Sequence, residues 1–345
     1  MALVQWNTFP PYGKSNLKPG IAGHYHHHDP DHIRDDRIIC CIDGCQHWMN
    51  RRRKGRTTDF CPDHHISLSP DTYVHRKATQ NLFVLPEIFL QIRKTENRLT
   101  NENSEDALSW NVFVGFYALR ALDQIFFALT GVQPKSEPQL YLWGNCIQWD
   151  KCFRWPDLEK IQNHLEPGKR IKTEPDIMLR VPRQALVLIE AKFRSPNSRY
   201  DKKASRCGRV ANYFKNYVPR ADCVDPFNRE WIYSAPSDQV LEQLCRNSMF
   251  AHHLAEPGEQ VFLVNLVSSE FELQVEEQFK LHLTEGQITF RRFTWEQLAM
   301  LPVLRTPPGE PLKSYFDEKT YSLRPAFPSF TSIPISCSTK NLPVQ

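Results

Sequence analysis

Several features that would place a chain in a special class at once are absent or scarce. No stretch is apolar for the length of a membrane span. The longest, "WNVFVGFYALRALDQIFFALTG", is broken by Arg120, Asp123 and Gln124 and reads as a buried amphipathic helix. No sign of charge dominates: Lys and Arg number 43 against 39 Asp and Glu, a mild surplus that permits a nucleic-acid partner without requiring one. Ten cysteines in 345 residues are too sparse for a disulfide scaffold. The opening residues, "MALVQWNTFPPYGKSN", show no basic start followed by an apolar core, so the expectation is a cytoplasmic protein with no membrane association. No internal repeat is present.

What remains is the balance of a folded chain, 41% hydrophobic and 24% charged, long enough for one large domain or two ordinary ones. Residues 1–39 are rich in Pro, Gly, His and Asp without periodicity, and irregular structure is expected there. The run "HYHHHD" falls in this segment and reads as an exposed His run. Residues 40–98 hold a cysteine cluster, a basic run and a linker. From 99 to 300 the texture changes to long periodic segments. A helix capped by Asn103 or Ser104 is expected to run to about Leu129. A strand "QLYLWGNCI" and a short helix "PDLEKIQNHL" follow, then a hairpin. After the hairpin come a helix within "SDQVLEQLCRNSMFAHHLA", an apolar strand "QVFLVNLVSS", and a further helix and strand. Residues 301–345, rich in Pro and Ser, read as a loosely attached tail. The order of elements predicts an α/β (α+β) fold with a central mixed sheet flanked by helices.

The hairpin, "EPDIMLRVPRQALVLIEAKF", raises a physical question, because Asp176, Glu190 and Lys192 interrupt strands that are otherwise apolar on both faces. Its polar turn centres on Arg183, and symmetric pairing about that residue sets Asp176 directly opposite Glu190. Facing residues of an antiparallel pair lie about 4.5–5.5 Å apart and point to one side. Lys192, two residues on, shares that face. Two carboxylates this close repel unless a cation lies between them, and a hard divalent ion such as Mg²⁺ takes such oxygen ligands. The bland alternative is a solvated surface ion pair. Against it stands the cost of charge in a central strand away from its end.

Pro175-Asp176 followed by Ile189-Glu190-Ala191-Lys192 resembles the signature of the PD-(D/E)XK nuclease superfamily, over about residues 100–295. The resemblance implies a restriction-endonuclease-like core and phosphodiester hydrolysis. It makes Asp176, Glu190 and Lys192 catalytic, with Asp176 and Glu190 the Mg²⁺ ligands, and implies an upstream acid, for which "NSEDALSWNVF" offers Glu105. It also implies polar residues on the helix after the lysine strand, where "LEQLCRN" offers Gln243 and Arg246 as auxiliary residues. One departure is the long insertion between the acidic helix and the hairpin.

The cysteine cluster is a second signal. "CCIDGCQHWMNRRRKGRTTDFCPDHH" contains Cys40-x4-Cys45 and Cys61-x2-His64, two pairs of soft ligands separated by a loop, as a tetrahedral structural zinc requires. Cys41 is an alternative to Cys40, and His65 to His64. The C-x4-C…C-x2-H spacing resembles that of small zinc knuckles. Between the pairs, Arg51, Arg52, Arg53, Lys54 and Arg56 form either a phosphate-contacting surface or a solvated charged loop. The expectation from the whole sequence is a Mg²⁺-dependent endonuclease acting on nucleic acid, DNA before RNA, with an N-terminal zinc module. The competing expectation is a zinc-containing nucleic-acid-binding protein with an inactive nuclease fold. Protein partners are not specified, a homodimer being one option.

Overall fold

The structure, a computed structural model, describes residues 37–40, 42, 44–50, 59–68, 72–92, 99–170, 172–199, 225–235, 240–321 and 324–327. Residues 1–36 of the expected irregular segment, Cys41, the basic run Arg51–Arg56 and the end of the expected tail lie outside them, while the last three residues of that segment, Arg37–Ile39, are not irregular but form a strand.

Two short hairpins come first. Strands β1 (Arg37–Ile39) and β2 (Trp48–Asn50) pair antiparallel, as do β3 (Ile66–Leu68) and β4 (Tyr73–His75). After the single-turn α1 (Pro86–Phe89), helices α2 (Glu105–Ala118) and α3 (Leu122–Thr130) precede strands β5 (Gln139–Leu142), β6 (Asn145–Ile147) and β7 (Cys152–Arg154). Helix α4 (Pro156–Leu165) leads into the hairpin of β8 (Ile177–Val181) and β9 (Ala185–Ala191). The chain continues through α5 (Arg229–Ser234), α6 (Glu242–Leu254), β10 (Gln260–Val267), α7 (Val275–Lys280), β11 (Thr289–Thr294), α8 (Trp295–Ala299) and α9 (Glu310–Glu318). A last small pair joins β12 (Thr320–Tyr321) to β13 (Arg324–Pro325).

Seven strands form one mixed sheet in the order β11-β10-β9-β8-β5-β6-β7. β10 runs parallel to both β9 and β11, while β8 runs antiparallel to β9 and β5. The expected α/β class with a helix-flanked mixed sheet is therefore what the chain adopts. Alternation along β9 sends Val187, Ile189 and Ala191 to one face and Leu186 and Leu188 to the other. The first face packs on Trp110, Phe113, Trp295 and Phe316, the second on Leu158, Leu244 and Phe250. Both faces are covered, which is why the strand sequence is apolar almost without interruption.

Three expectations need correction. The helix predicted as continuous to Leu129 is two helices bent by 115°. α2 ends on Arg120 in the left-handed conformation (φ 53°), with Arg120 N donating to Tyr117 O and Ala121 N to Phe116 O. This is a Schellman ending in which Arg stands where Gly is usual, so the sequence carried no Gly signal for it. Among the described residues no single helix is long and apolar enough to cross a membrane. "QLYLWGNCI" is not one strand but the hairpin β5–β6, turned by Trp143 and Gly144 with φ 49° and 74°. Paired positive φ values mark a two-residue hairpin turn, and a Cβ on Gly144 would lie 2.6 Å from Leu158 Cδ2. The third correction concerns the tail. Its first part is packed: α9 buries Leu312, Tyr315 and Phe316 in the main core, and Phe327 joins them.

Candidate active site and metal centre

The β8–β9 register is symmetric about Arg183, running from Val181 opposite Ala185 to Ile177 opposite Ile189. Arg183 itself has φ 61° and Gln184 N closes the turn on Val181 O at 3.0 Å. One step beyond Ile177 the same register brings Asp176 opposite Glu190. Asp176 is anchored at the strand mouth: its Oδ2 accepts from Ala191 N at 3.1 Å, and its carbonyl accepts from Trp143 N at 3.0 Å. Glu190 is 2% exposed and Lys192 7%. The bland reading of a solvated surface pair is therefore excluded, because both groups are out of water. An unpaired buried ion costs several kcal/mol, so their partners matter.

Lys192 Nζ lies 2.7 Å from Glu190 Oε1 and 3.5 Å from Glu105 Oε1. Glu105 arrives from α2 on the opposite face of the sheet. Ser104 caps that helix, its Oγ accepting from Ala107 N at 3.2 Å, and Glu105 in the first turn faces the positive helix end. Glu105 Oε2 also accepts from Phe193 N at 2.9 Å. The helix after the lysine strand contributes Asn247, whose Nδ2 donates to Glu190 Oε2 at 2.8 Å. The expected auxiliary residues, Gln243 and Arg246, are half-buried on the same helix, Gln243 one turn before Asn247. Asn247 went unnoticed in the sequence, where it is one polar residue among several; the signal that could have found it is the four-residue step from Gln243. Trp295 Nε1 donates to Lys192 O at 3.0 Å and Lys192 N donates to Leu266 O at 2.8 Å, fixing the strand end that carries the lysine.

The electrostatics follow from three carboxylates around one ammonium. Burial pushes Glu105 up to about 7, opposed by Lys192 and reinforced by Asp176. Burial alone would lower Lys192, but the carboxylates of Glu190, Glu105 and Asp176 outweigh it and raise it, so the lysine is a permanent cation at neutral pH. With every group ionised the cluster carries two more negative charges than positive. A divalent cation matches that excess. The oxygen donors suit Mg²⁺, which keeps several waters and needs only one or two carboxylates. The acids do not form a closed cage. Among the described residues, the only group of three or more His, Cys, Asp or Glu ligand atoms drawn mutually within 4.8 Å is the cysteine and histidine cluster.

That cluster is Cys40, Cys45, Cys61 and His64. Cys45 Sγ and Cys61 Sγ are 3.7 Å apart, and His64 Nδ1 lies 3.3 Å from Cys61 Sγ and 3.6 Å from Cys40 Sγ. A tetrahedron with metal–sulfur bonds of about 2.3 Å has edges of about 3.8 Å, so these four side chains can hold a metal ion and the spacing is compatible with zinc. The turn is built for it: Cys61 N donates to Ile66 O and His65 N to Cys61 O, each at 2.8 Å, while His65 takes φ 55° and points its neighbour His64 inward. Burial pushes the Cys61 thiol up to about 12 and His64 down. A bound metal reverses this for the thiol, since a coordinating thiol is deprotonated.

No family model, curated protein or solved structure matches this chain.

Proposed function

We propose that this chain is a Mg²⁺-dependent endonuclease of the PD-(D/E)XK type that hydrolyses phosphodiester bonds in DNA, with a structural zinc in its N-terminal module. One observation carries the reading: Asp176, Glu190 and Lys192 from one hairpin and Glu105 from a helix on the opposite face of the sheet converge at one strand end. A fold does not need that arrangement for its own stability, since apolar residues of like volume would serve the core as well. Bound Mg²⁺ would polarise the scissile phosphate and lower the pKa of the attacking water. Asp176 and Glu190 would hold it, assisted by Glu105. Lys192 keeps a fixed positive charge beside the place where negative charge grows on the phosphate, and stabilises it there. Without metal, burial pushes Glu105 up to about 7, and a cation held beside it would favour its ionised form. The basic run Arg51–Arg56 supplies cations for a phosphate backbone.

The test is incubation of purified protein with plasmid, linear and single-stranded DNA and with RNA, with and without Mg²⁺. Metal-dependent cleavage is expected, with DNA preferred. A second reading, a zinc-containing nucleic-acid-binding protein whose nuclease fold is inactive, draws on the ion pairs that Lys192 already makes with Glu190 and Glu105. Tight binding without cleavage under every condition would establish that reading instead.

A further inference from the structure

Three segments distant in sequence meet just ahead of α2. β4 pairs with residues 100–102: Val74 bridges Asn101, His75 N donates to Thr100 O at 2.8 Å, and Glu102 N donates to Tyr73 O at 3.0 Å. Tyr73 belongs to the same small core as Cys40, Cys45 and Cys61, so β4 is the wall of the metal cluster. Arg76 N, one residue past β4, returns to His65 O at 2.8 Å beside the ligand His64. The 100–102 segment then leads through Asn103 into the cap Ser104 and into Glu105.

The third segment is C-terminal. Lys319, which follows α9, is fully buried, and its Nζ lies 3.3 Å from Glu102 Oε1 and donates to the Glu102 carbonyl. Glu102 Oε2 is 3.5 Å from His75 Nε2, so one buried carboxylate has the lysine on one flank and the imidazole on the other. Burial would raise Glu102, but Lys319 and His75 outweigh it and keep it ionised. Lys319 also sits over the ring of Phe193 at 5.9 Å. Phe193 is the residue whose N–H donates to Glu105. Both routes from this ion cluster, along the chain from Glu102 and across Phe193 from Lys319, end on Glu105.

We infer that His75, Glu102 and Lys319 are positioning residues for Glu105, and that through them the metal-binding module and the C-terminal helix set the cation affinity of the acid site. The inference rests on the reading of Glu105, Asp176 and Glu190 as a cation site, and the two can fail separately. It makes the N-terminal module part of the scaffold of the reaction centre rather than an appendage that only touches nucleic acid.

The test uses the full chain with its metal cluster loaded. Lys319→Met keeps the length of the side chain and removes its charge. Expected are faster amide exchange at Phe193 and Leu108, unchanged exchange at Leu188 in the middle of β9, full zinc content, and roughly tenfold to hundredfold weaker Mn²⁺ binding at the acid site, the usual cost of losing an outer-shell partner. If Lys319→Met does not fold, the paired variant E102Q/K319M, which leaves no orphaned buried charge, carries the same readouts. A folded variant with wild-type Phe193 exchange, or with faster exchange but undiminished Mn²⁺ affinity, overturns the inference. If the wild-type chain binds no Mn²⁺, the reading of the acid site fails, and faster exchange at Phe193 alone then sustains the positioning of Glu105.

Discussion

Replacing Lys192 with methionine, which preserves the stem and deletes the charge, separates the structural from the catalytic role of the residue. Its ammonium lies 2.7 Å from Glu190 and 3.5 Å from Glu105. At an effective dielectric constant of about 20 those attractions amount to about 6 and about 5 kcal/mol. The cost of keeping the ammonium out of water offsets several kcal/mol of that. What remains on removing one partner of a buried pair is about 3–5 kcal/mol, because Glu190 is left in the core with Asn247 as its remaining polar partner. Metal-free Lys192→Met should therefore unfold at markedly lower urea concentration than the wild-type chain. Mg²⁺ should restore much of the difference, because the added cation meets the same carboxylates. Cleavage in saturating Mg²⁺ should nevertheless fall by about a hundredfold or more, with DNA affinity nearly unchanged. A variant that is as stable as wild type without metal, or that cleaves at the wild-type rate, would refute the assignment of this lysine. Loss of affinity in step with rate would reduce it to a phosphate anchor.

Three further outcomes are expected. Purified protein should carry about one tightly held zinc per chain by elemental analysis, and Cys45→Ser or Cys61→Ser should lower both zinc content and protease resistance of the N-terminal module; protein prepared without chelator that contains no zinc contradicts this. Glu105 is raised from an ordinary 4.5 to about 7 in the folded chain, so the folded state binds its proton more tightly than the unfolded state. Its contribution to metal-free stability is then full below about 4.5 and lost as pH rises through about 7, while Mn²⁺ affinity rises over the same interval. Glu105→Gln should remove both dependences, as calorimetric titration across that range would show. Arg120→Gly at the left-handed end of α2 should stabilise the fold by about 1 kcal/mol, read from the denaturation midpoint; no gain would mean that Arg120 makes compensating contacts.

The hairpin was legible because two constraints agreed. Apolar runs fixed the strands, the polar "VPRQA" fixed the turn, and their symmetry about Arg183 put Asp176 and Glu190 together. The four metal-site side chains were legible for a similar reason, since short ligand spacings leave few geometries. The α2–α3 break was not legible, because Arg120 adopts a conformation that composition assigns to glycine, in a helix ending closed by backbone hydrogen bonds from Arg120 N and Ala121 N. The aromatic turn at Trp143 and Gly144 was hidden in the same way inside an apolar run. α9 was concealed by the Pro-rich residues before it, although Leu312, Tyr315 and Phe316 follow helical spacing. Asn247 was within reach only through its four-residue step from Gln243, whereas the cluster of His75, Glu102 and Lys319 joins residues whose proximity only the tertiary fold creates.

Single-turnover cleavage decides whether Asp176 and Glu190 form a hydrolytic metal site. Wild type, Asp176→Ala and Glu190→Ala would be compared on linear DNA with and without Mg²⁺, each first shown to be folded by its circular dichroism. Cleavage is expected from the wild-type chain only when Mg²⁺ is present, and from neither variant. Cleavage that persists at the wild-type rate in both variants would contradict such a site.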